Sequence, residues 1–341
     1  MMIDGHLDLA YNVTSAGRDL TLPLPALRNA GHADALVTLP ELAEGGVGIV
    51  FGTIFVRPAS SVPMSSRGGS LGGRAYETPD EARALGLEQL EIYERWEDEG
   101  RIRILRSRDD LDPYAQKTAD TPLGLVLLME GADPLVTPDD LGEWRARGLR
   151  LLGPAWQRTR YSGGTKAPGP LTDLGRELML ALKQEGVALD VSHLAEESFW
   201  GALESGPDHV IASHSNVRTL VPTDRHLSDA MIRALGEKNG VVGLVIANPF
   251  LNPATTETSP KADTTLEHVS RHTEHIAGLI GWDSVAIGTD WDGGFGVNDI
   301  PAGLGRAADF AKLGEAVPEA ARAGFLGDNW LTFLRRALPK G

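Results

Sequence analysis

The chain has 341 residues, of which 42% are hydrophobic and 23% are charged, a balance that is ordinary for a soluble enzyme with a sizeable core. Its formal net charge of -15 argues against nucleic acid, anionic membranes and other polyanions as partners. The absence of cysteine excludes disulfides, thiolate zinc sites and a cysteine nucleophile.

Strand-like apolar runs recur along the chain, with helical stretches between them. The eight runs are MMIDG (1–5), VGIVFGTIFV (47–56), LGLVLLM (123–129), LRLLGP (149–154), VALDVS (187–192), HVIAS (209–213), VVGLVIA (241–247) and VAIGT (285–289). Regular alternation of strand and helix predicts a parallel sheet with right-handed crossovers. Eight is the number that closes a barrel, so we predict an α/β fold of the (β/α)8 TIM-like type. No linker or internal repeat is visible, and residues 1–341 are predicted to form a single domain.

Two intervening segments have the signals of helices. LTDLGRELMLALKQEG has apolar residues at helical spacing, with Thr172 as the candidate N-cap and Gly186 at the C-terminal stop. SDAMIRALGEKNG follows the same pattern. The run IRILRSRDDLD predicts a short strand or edge piece outside the count of eight.

Two segments rich in turn residues interrupt this rhythm. RPASSVPMSSRGGSLGGRAYETPDEA follows the second strand, and its Ser, Gly and Pro content predicts a long loop near the mouth of the barrel. A lid over the site and a tolerated surface insertion are both open interpretations of this loop. NPFLNPATTETSPKADTTLEH predicts a second long loop.

Residues that can bind metal ions lie at or just past the ends of several strand-like runs. A strand places residues i and i+2 on one face, so His6 and Asp8 can point into one cavity. The C-terminal ends of the strands form the mouth of a (β/α)8 barrel, so residues distant in sequence converge there. Each residue alone could be a satisfied polar group or a helix cap, but their shared position favours a metal site. The set is His6, Asp8, Glu130, His193, His214 and Asp290.

The order and spacing of these motifs resemble the membrane (renal) dipeptidase family of binuclear zinc peptidases, which belongs to the amidohydrolase-type metal barrels. The similarity runs from DGHLD through EG, DVSH, SHS and GTDWDG to the terminal GDNWLTFLRR. It implies that His6 and Asp8 bind one ion, that His193 and His214 bind a second, and that Glu130 bridges both. Two divalent ions are therefore expected, most naturally Zn²⁺, with manganese, iron or cobalt open because no thiolate is present.

The resemblance also implies the catalytic and substrate-binding residues. Two ions ~3.5–4 Å apart can share a water, lower its pKa and present hydroxide to a carbonyl. Asp290 resembles the family's acid/base residue, although a helix N-cap or a third metal ligand is an alternative role. Arg225 matches an arginine that binds the substrate carboxylate, with a surface salt bridge as the alternative. Trp156 stands where animal members have a substrate-contacting histidine, and we expect it to line the cleft.

These observations together predict a metal-dependent dipeptidase that hydrolyses small dipeptides with a free carboxylate. The alternatives are an amidohydrolase acting on N-acyl amino acids, lactams or other cyclic amides, and a non-catalytic metal-binding barrel. No apolar run approaches the ~20 residues that span a bilayer, and a cleavable signal could not be removed without removing His6. We therefore expect a cytoplasmic protein with no nucleic-acid or membrane partner. A homodimer is compatible with the sequence, which has no signal of the oligomeric state.

Overall fold

The computed structural model describes residues 1–61, 74–115, 121–256 and 258–341. Its strands form two larger parallel sheets and one short pair. The strands are β1 Met2–Leu7, β2 Val47–Phe55, β3 Arg57–Pro58, β4 Ala75–Tyr76, β5 Ile102–Ile104, β6 Leu123–Glu130, β7 Leu149–Gly153, β8 Ala188–Asp190, β9 Val210–Ile211, β10 Val242–Leu244 and β11 Val285–Ile287. Each of the eight predicted runs overlaps one strand of the two larger sheets.

The main sheet has the order β1-β2-β6-β7-β8-β9, and every pairing in it is parallel. β5 pairs with the first residues of β6, as predicted for an edge piece outside the eight. β10 and β11 form the second parallel sheet. The α/β class and a curled parallel sheet are therefore confirmed.

The register of the main sheet places the ends of its strands together. Phe55, the last residue of β2, lies opposite Glu130, the last residue of β6. Glu130 in turn lies opposite Gly153, the last residue of β7. Residues that follow these strands therefore start from the same edge of the sheet, which is the condition for a shared site.

Further contacts link the two larger sheets. Ala212 and Val242 form a parallel bridge between the end of β9 and the start of β10. On the other side, the backbone N–H of Asp290, beyond β11, donates to the carbonyl oxygen of His6 in β1 at 3.2 Å. The Asp4 carboxylate accepts hydrogen bonds from the N–H and hydroxyl of Thr289 at 2.8 and 2.6 Å.

Helices follow most of the strands. They are α1 Leu9–Ala16, α2 Leu24–Asn29, α3 Leu39–Glu44, α4 Pro79–Asp98, α5 Asp112–Ala115, α6 Leu141–Ala146, α7 Asp173–Glu185, α8 Glu196–Ser205, α9 Asp229–Glu237, α10 Asn248–Leu251, α11 Leu266–Ile280 and α12 Asn329–Ala337. Both predicted helices are confirmed as α7 and α9. The Thr172 hydroxyl accepts from the N–H of Gly175. α7 stops at Gly186, whose φ of 64° lies in the left-handed region that glycine tolerates.

Alternate residues of the strands pack on the two faces of the main sheet, as the pleat requires. In β2, Val50 and Ile54 belong to one buried hydrophobic cluster, whereas Ile49 and Phe51 belong to a second. Trp330 of α12 is part of the second cluster, with its ring 4.9 Å from the ring of Phe51. A Cβ at Gly5 would lie 2.7 Å from the Trp330 ring, so β1 needs glycine there.

Residues 62–73, in the middle of the long loop predicted after the second strand, lie outside the described residues. The prediction of a lid therefore stays untested. Within the described ranges, no helix is both long and apolar enough to cross a bilayer.

Candidate metal centre

The structure brings the six predicted metal-site and acid/base residues to the carboxyl ends of the strands. His6 lies in β1, and Glu130 is the last residue of β6. His193, His214 and Asp290 each follow their strand by three positions, after β8, β9 and β11. Asp8 comes directly after β1, at the start of α1. All six are buried, with at most 7% of their surface exposed.

Two imidazoles converge on one oxygen of Glu130. The Nε2 atoms of His193 and His214 lie 3.2 and 3.3 Å from Glu130 Oε1, and 3.1 Å from each other. Ligand atoms around a tetrahedral zinc ion, at bond lengths of about 2.0–2.1 Å, are separated by roughly 3.3 Å. The triangle formed by these three atoms therefore fits one divalent ion.

The other oxygen of Glu130 faces the ligands of the first strand. His6 Nε2 lies 3.6 Å from Glu130 Oε2 and 3.8 Å from Asp8 Oδ1. This nitrogen is fully buried and has no hydrogen-bond partner among the described residues. Asp290 offers a further carboxylate oxygen within 4.8 Å of the His6 and Asp8 ligand atoms. A buried nitrogen without a partner, beside three carboxylates, is a suitable place for a second cation.

The pKa shifts of the site residues indicate an excess of negative charge that favours a bound cation. Burial opposes protonation of His6, but Glu130 and Asp8 favour it and raise the pKa of His6 to about 10. Burial and the charge of Glu130 raise the pKa of Asp8 to about 6. Burial, and then the positive charges of His6 and Arg225, hold the pKa of His214 well below its ordinary value. In the absence of a metal, a proton on His6 offsets part of the negative charge that divalent ions would otherwise balance.

Asp290 belongs to the same buried cluster and has an unusual backbone. Its φ is 58°, in the left-handed region that asparagine and aspartate tolerate better than other non-glycine residues. Burial raises the pKa of its carboxyl well above the ordinary value, and the charges of Asp8 and Glu130 act in the same direction. His193 has a φ of 65°, so two residues of the site have backbones of this uncommon kind.

Asp292, two positions beyond, has a different environment. Its carboxylate accepts from the backbone N–H groups of Leu36 and Val37 at 3.1 and 2.8 Å. It also pairs with Arg18 at 3.0 Å. Asp292 therefore ties the loop after β11 to the segment after α2, and its oxygens are occupied.

Arg225 lies on the loop after β9 and is 4% exposed. It donates to the carbonyl oxygen of His214 at 2.6 Å and to the hydroxyl of Ser215 at 3.2 Å. Its Nε has no hydrogen-bond partner among the described residues, and its guanidinium carbon lies 5.6 Å from the centre of the Phe250 ring. Burial lowers the pKa of Arg225, and the carboxylates of Asp290 and Glu130 act in the opposite direction. A surface salt bridge, the alternative role for Arg225, does not fit this burial.

Trp156 follows β7 by three positions and packs near the site. Its ring centre lies 6.3 Å from that of His193 and 5.2 Å from that of Phe55. Tyr11 extends the aromatic group, with its ring 4.9 Å from Phe55. Trp156 is 6% exposed, so little of its indole faces solvent.

Hydroxyl groups that were not predicted from the sequence lie behind the imidazoles. Ser213 Oγ lies 3.2 Å from Nδ1 of His6 and 2.8 Å from Nδ1 of His214. Thr165 Oγ1 lies 2.9 Å from Nδ1 of His193. Ser213 stands next to a predicted ligand in the motif SHS, which was a usable signal. Thr165 lies in a loop distant in sequence from His193, and no local pattern distinguishes it.

The chain matches a known family and a known relative over most of its length. The sequence profile of the family described as Membrane dipeptidase (Peptidase family M19) matches residues 1–337. An uncharacterized protein from the PQQ-III 3′ region of Acinetobacter calcoaceticus is 30% identical over 291 residues, which are 81% of this chain and 88% of that protein.

Two solved structures share the fold over almost the whole chain. The dipeptidase AC, a metallo peptidase of family M19, has a TM-score of 0.80 and 25% identity, covering 99% of this chain and 98% of that one. A metallo peptidase from Rhodobacter sphaeroides, solved with a phosphinate mimic of the dipeptide L-Ala-D-Ala, also has a TM-score of 0.80 and 25% identity, covering 98% and 99%. The chain therefore belongs to the membrane dipeptidase family, peptidase family M19, and is a metal-dependent dipeptidase, as the order of its motifs predicted.

Proposed function

We propose that the chain hydrolyses the amide bond of small dipeptides at a binuclear centre. His6 and Asp8 would hold one ion, His193 and His214 would hold the other, and Glu130 would bridge them. The observation that supports this assignment most is that the two oxygens of the Glu130 carboxylate face different ligands. One of its oxygens lies beside the Nε2 atoms of His193 and His214, and the other lies toward His6.

The donor set of imidazoles and carboxylates suits zinc, which is the ion we propose for both positions. When bound, a pair of divalent ions polarises a carbonyl group and makes hydroxide available at neutral pH. The chain's own contribution is to hold five ligands in a buried cluster and to exclude bulk water from it, since all five are at most 5% exposed.

Asp290 is the proposed acid/base residue. Its buried carboxyl has a raised pKa, so it can accept a proton at the attacking step and return it to the leaving amine. The carboxyl lies beside Asp8 and His6. In the described part of the chain the next helical element begins only at Ala307, so Asp290 caps no helix there.

Arg225 is the proposed partner of the substrate carboxylate. Its contacts with His214 and Ser215 fix the guanidinium plane, and its unpartnered Nε–H leaves one edge for a carboxylate. Trp156, together with Phe55 and Tyr11, would form the wall against which the substrate side chain packs.

We also infer that the two larger sheets close into one (β/α)8 barrel, with residues 1–341 as a single domain. The Ala212–Val242 bridge on one side and the hydrogen bond from Asp290 to His6 on the other support closure. A cytoplasmic location and a homodimer stay predictions, as does the absence of nucleic-acid partners, which rests on the net charge of -15.

The decisive experiment screens L,L and L,D dipeptides against protein stripped of metal and reconstituted with zinc, manganese or cobalt. L,D substrates are included because the Rhodobacter sphaeroides relative was solved with a mimic of L-Ala-D-Ala. Matched N-acyl amino acids and cyclic amides test the amidohydrolase alternative. We expect dipeptide turnover that needs two equivalents of metal per chain. Saturation at one equivalent would exclude the binuclear centre, and faster turnover of acylated substrates would exclude the dipeptide assignment.

A further inference from the structure

We propose that Ser213 is a positioning residue for two metal ligands at once, His6 and His214. Its hydroxyl, oriented by Asp190, would hold both rings as the tautomer that has its proton on Nδ1, so that both Nε2 lone pairs face the metal cavity. This inference rests on the proposed binuclear centre. It adds that one side chain outside the ligand set supports both ions.

The first observation is the convergence of two rings on one oxygen. Nδ1 of His6 lies 3.2 Å from Ser213 Oγ, and Nδ1 of His214 lies 2.8 Å from it. The two imidazoles are stacked, with ring centres 3.5 Å apart and planes inclined by 27°. All three residues are at most 1% exposed, so water does not compete freely for these contacts.

The second observation fixes the direction of the hydrogen bonds. Ser213 Oγ donates to Asp190 Oδ2 at 2.5 Å, so the hydroxyl proton points to Asp190. The hydroxyl then has two lone pairs left, which matches the two imidazoles. Each ring must therefore donate from Nδ1. The Ser192 hydroxyl is farther from Ser213 Oγ, at 3.4 Å.

Asp190 is itself held rigidly. Its Oδ1 accepts from the backbone N–H groups of Ser192 and Ser213, at 3.0 and 2.9 Å. This anchoring leaves Oδ2 free for the Ser213 hydroxyl. Asp190 ends β8 and is 2% exposed, so the chain from carboxylate to hydroxyl to imidazoles is buried throughout.

His193 has an equivalent but separate support. Thr165 Oγ1 lies 2.9 Å from its Nδ1 and 3.5 Å from its carbonyl oxygen, to which the hydroxyl can donate. Thr165 contacts only one of the three imidazoles. Loss of Ser213 should therefore affect both ions, and loss of Thr165 should affect only the ion held by His193 and His214.

Zinc affinity measured by competition with a chromophoric chelator tests this difference. Loss of a partner behind a metal-binding imidazole typically lowers affinity about 10–100-fold. We expect a loss of this size for both zinc ions in Ser213→Ala and for one ion in Thr165→Val. Ser198→Ala is the matched control, since the hydrogen bonds of that buried hydroxyl within the described ranges go to Gly163 and Gly169, and its loss should leave both affinities unchanged.

The outcomes separate the two proposals. Wild-type protein that binds no zinc would overturn the proposed function itself. Wild-type protein that binds two ions, with a folded Ser213→Ala variant of unchanged affinity, would overturn only the role of Ser213. Loss of a single ion in Ser213→Ala would contradict the shared support of His6 and His214.

Two further measurements avoid dependence on the folding of Ser213→Ala. In Asp190→Asn the backbone contacts keep the amide oxygen at the Oδ1 position, so the amide N–H faces Ser213 and reverses the hydrogen bond. We expect at least about a 10-fold loss of zinc affinity despite the equal size of the side chain. In wild-type zinc protein labelled with ¹⁵N, three histidines should have a proton on Nδ1 and the metal on Nε2. Metal on Nδ1 of His6 or His214 would overturn the proposal.

Discussion

At the scale of single residues, the backbone conformation of Asp290 allows a substitution that changes its chemistry without changing the local fold. Asn tolerates the left-handed region as well as Asp does, so Asp290→Asn should keep the local fold at a φ of 58°. An amide cannot carry the proton, and we expect kcat to fall about 10²–10⁴-fold with metal content unchanged. Steady-state kinetics and metal analysis measure both quantities.

Asp292→Asn is the matched control for this change. Its carboxylate is occupied by Leu36, Val37 and Arg18, so we expect a lower Tm and a much smaller effect on kcat. Near-normal turnover of Asp290→Asn, or an equal loss of kcat in both variants, would contradict the proposed role of Asp290.

Arg225 should act on substrate binding rather than on the chemical step. Arg225→Ala is expected to raise KM for dipeptides with a free carboxylate and to change little for their amides, because only the carboxylate needs the guanidinium fork. Arg225→Lys keeps the charge but loses the fork, and should recover part of the affinity at most. Equal losses on acids and amides would indicate that Arg225 serves only to hold the His214 loop.

The pKa of His6 predicts how metal uptake depends on pH. In metal-free protein this pKa is raised to about 10, so His6 is protonated at neutral pH and must lose that proton to bind a metal. Zinc affinity should therefore rise as the pH rises from 6 toward 10. Calorimetry at pH 8 in buffers of different ionisation enthalpy should detect release of at least one proton per chain. Uptake of zinc without proton release would show that His6 is neutral before binding.

At the scale of elements, α7 shows how a loop near the site is connected to a helix. The Thr172 hydroxyl accepts from Gly175 N–H at 3.0 Å and lies 2.7 Å from the carbonyl oxygen of Arg160, in the loop that follows β7. Thr172→Ala should lower the free energy of unfolding by about 0.5–2 kcal/mol, the usual range for a lost N-cap. Thr172→Ser keeps the hydroxyl and should lose less. Urea unfolding measures the free energy of unfolding of both variants. Equal losses in the two would show that the Thr172 hydroxyl does not contribute to stability.

At the scale of the whole molecule, Asp4 joins the first strand to the residues that follow the last one. Burial raises its pKa to about 6, despite the hydrogen bonds from Thr289, against an ordinary value of 3.8 in the unfolded chain. Between these two pH values the folded state binds more protons than the unfolded state. The contribution of Asp4 to stability is thus fully present below pH 3.8 and is lost as the pH rises through 6.

Asp4→Asn removes this titration while keeping the shape of the side chain. Relative to the wild type, its stability should improve between pH 4 and pH 7 by up to about 3 kcal/mol, since each pKa unit corresponds to about 1.4 kcal/mol. Urea unfolding of metal-free protein at both pH values gives the difference. A difference that does not change with pH would show that Asp4 is ionised in the folded state throughout this range.

The sequence by itself determined the strands, two helices and the types of ligand. Apolar runs specify strands because a buried strand needs apolar residues along its own length. Thr172 specifies the start of α7 through its side-chain hydroxyl, and Gly186 specifies the end through its left-handed backbone. The order of motifs was enough to predict the family. These features depend on neighbours in the chain, which a single sequence contains.

Only the tertiary structure decided how the ligands are arranged. It determines that one oxygen of Glu130 faces His193 and His214 while the other faces His6. It also places Ser213 beside His6 across 207 positions of sequence. Such contacts follow from the curvature and register of the sheet, which are set by the packing of every strand together. No local sequence pattern predicts these contacts, because their distances and hydrogen-bond directions depend on how strands distant in sequence pack against each other.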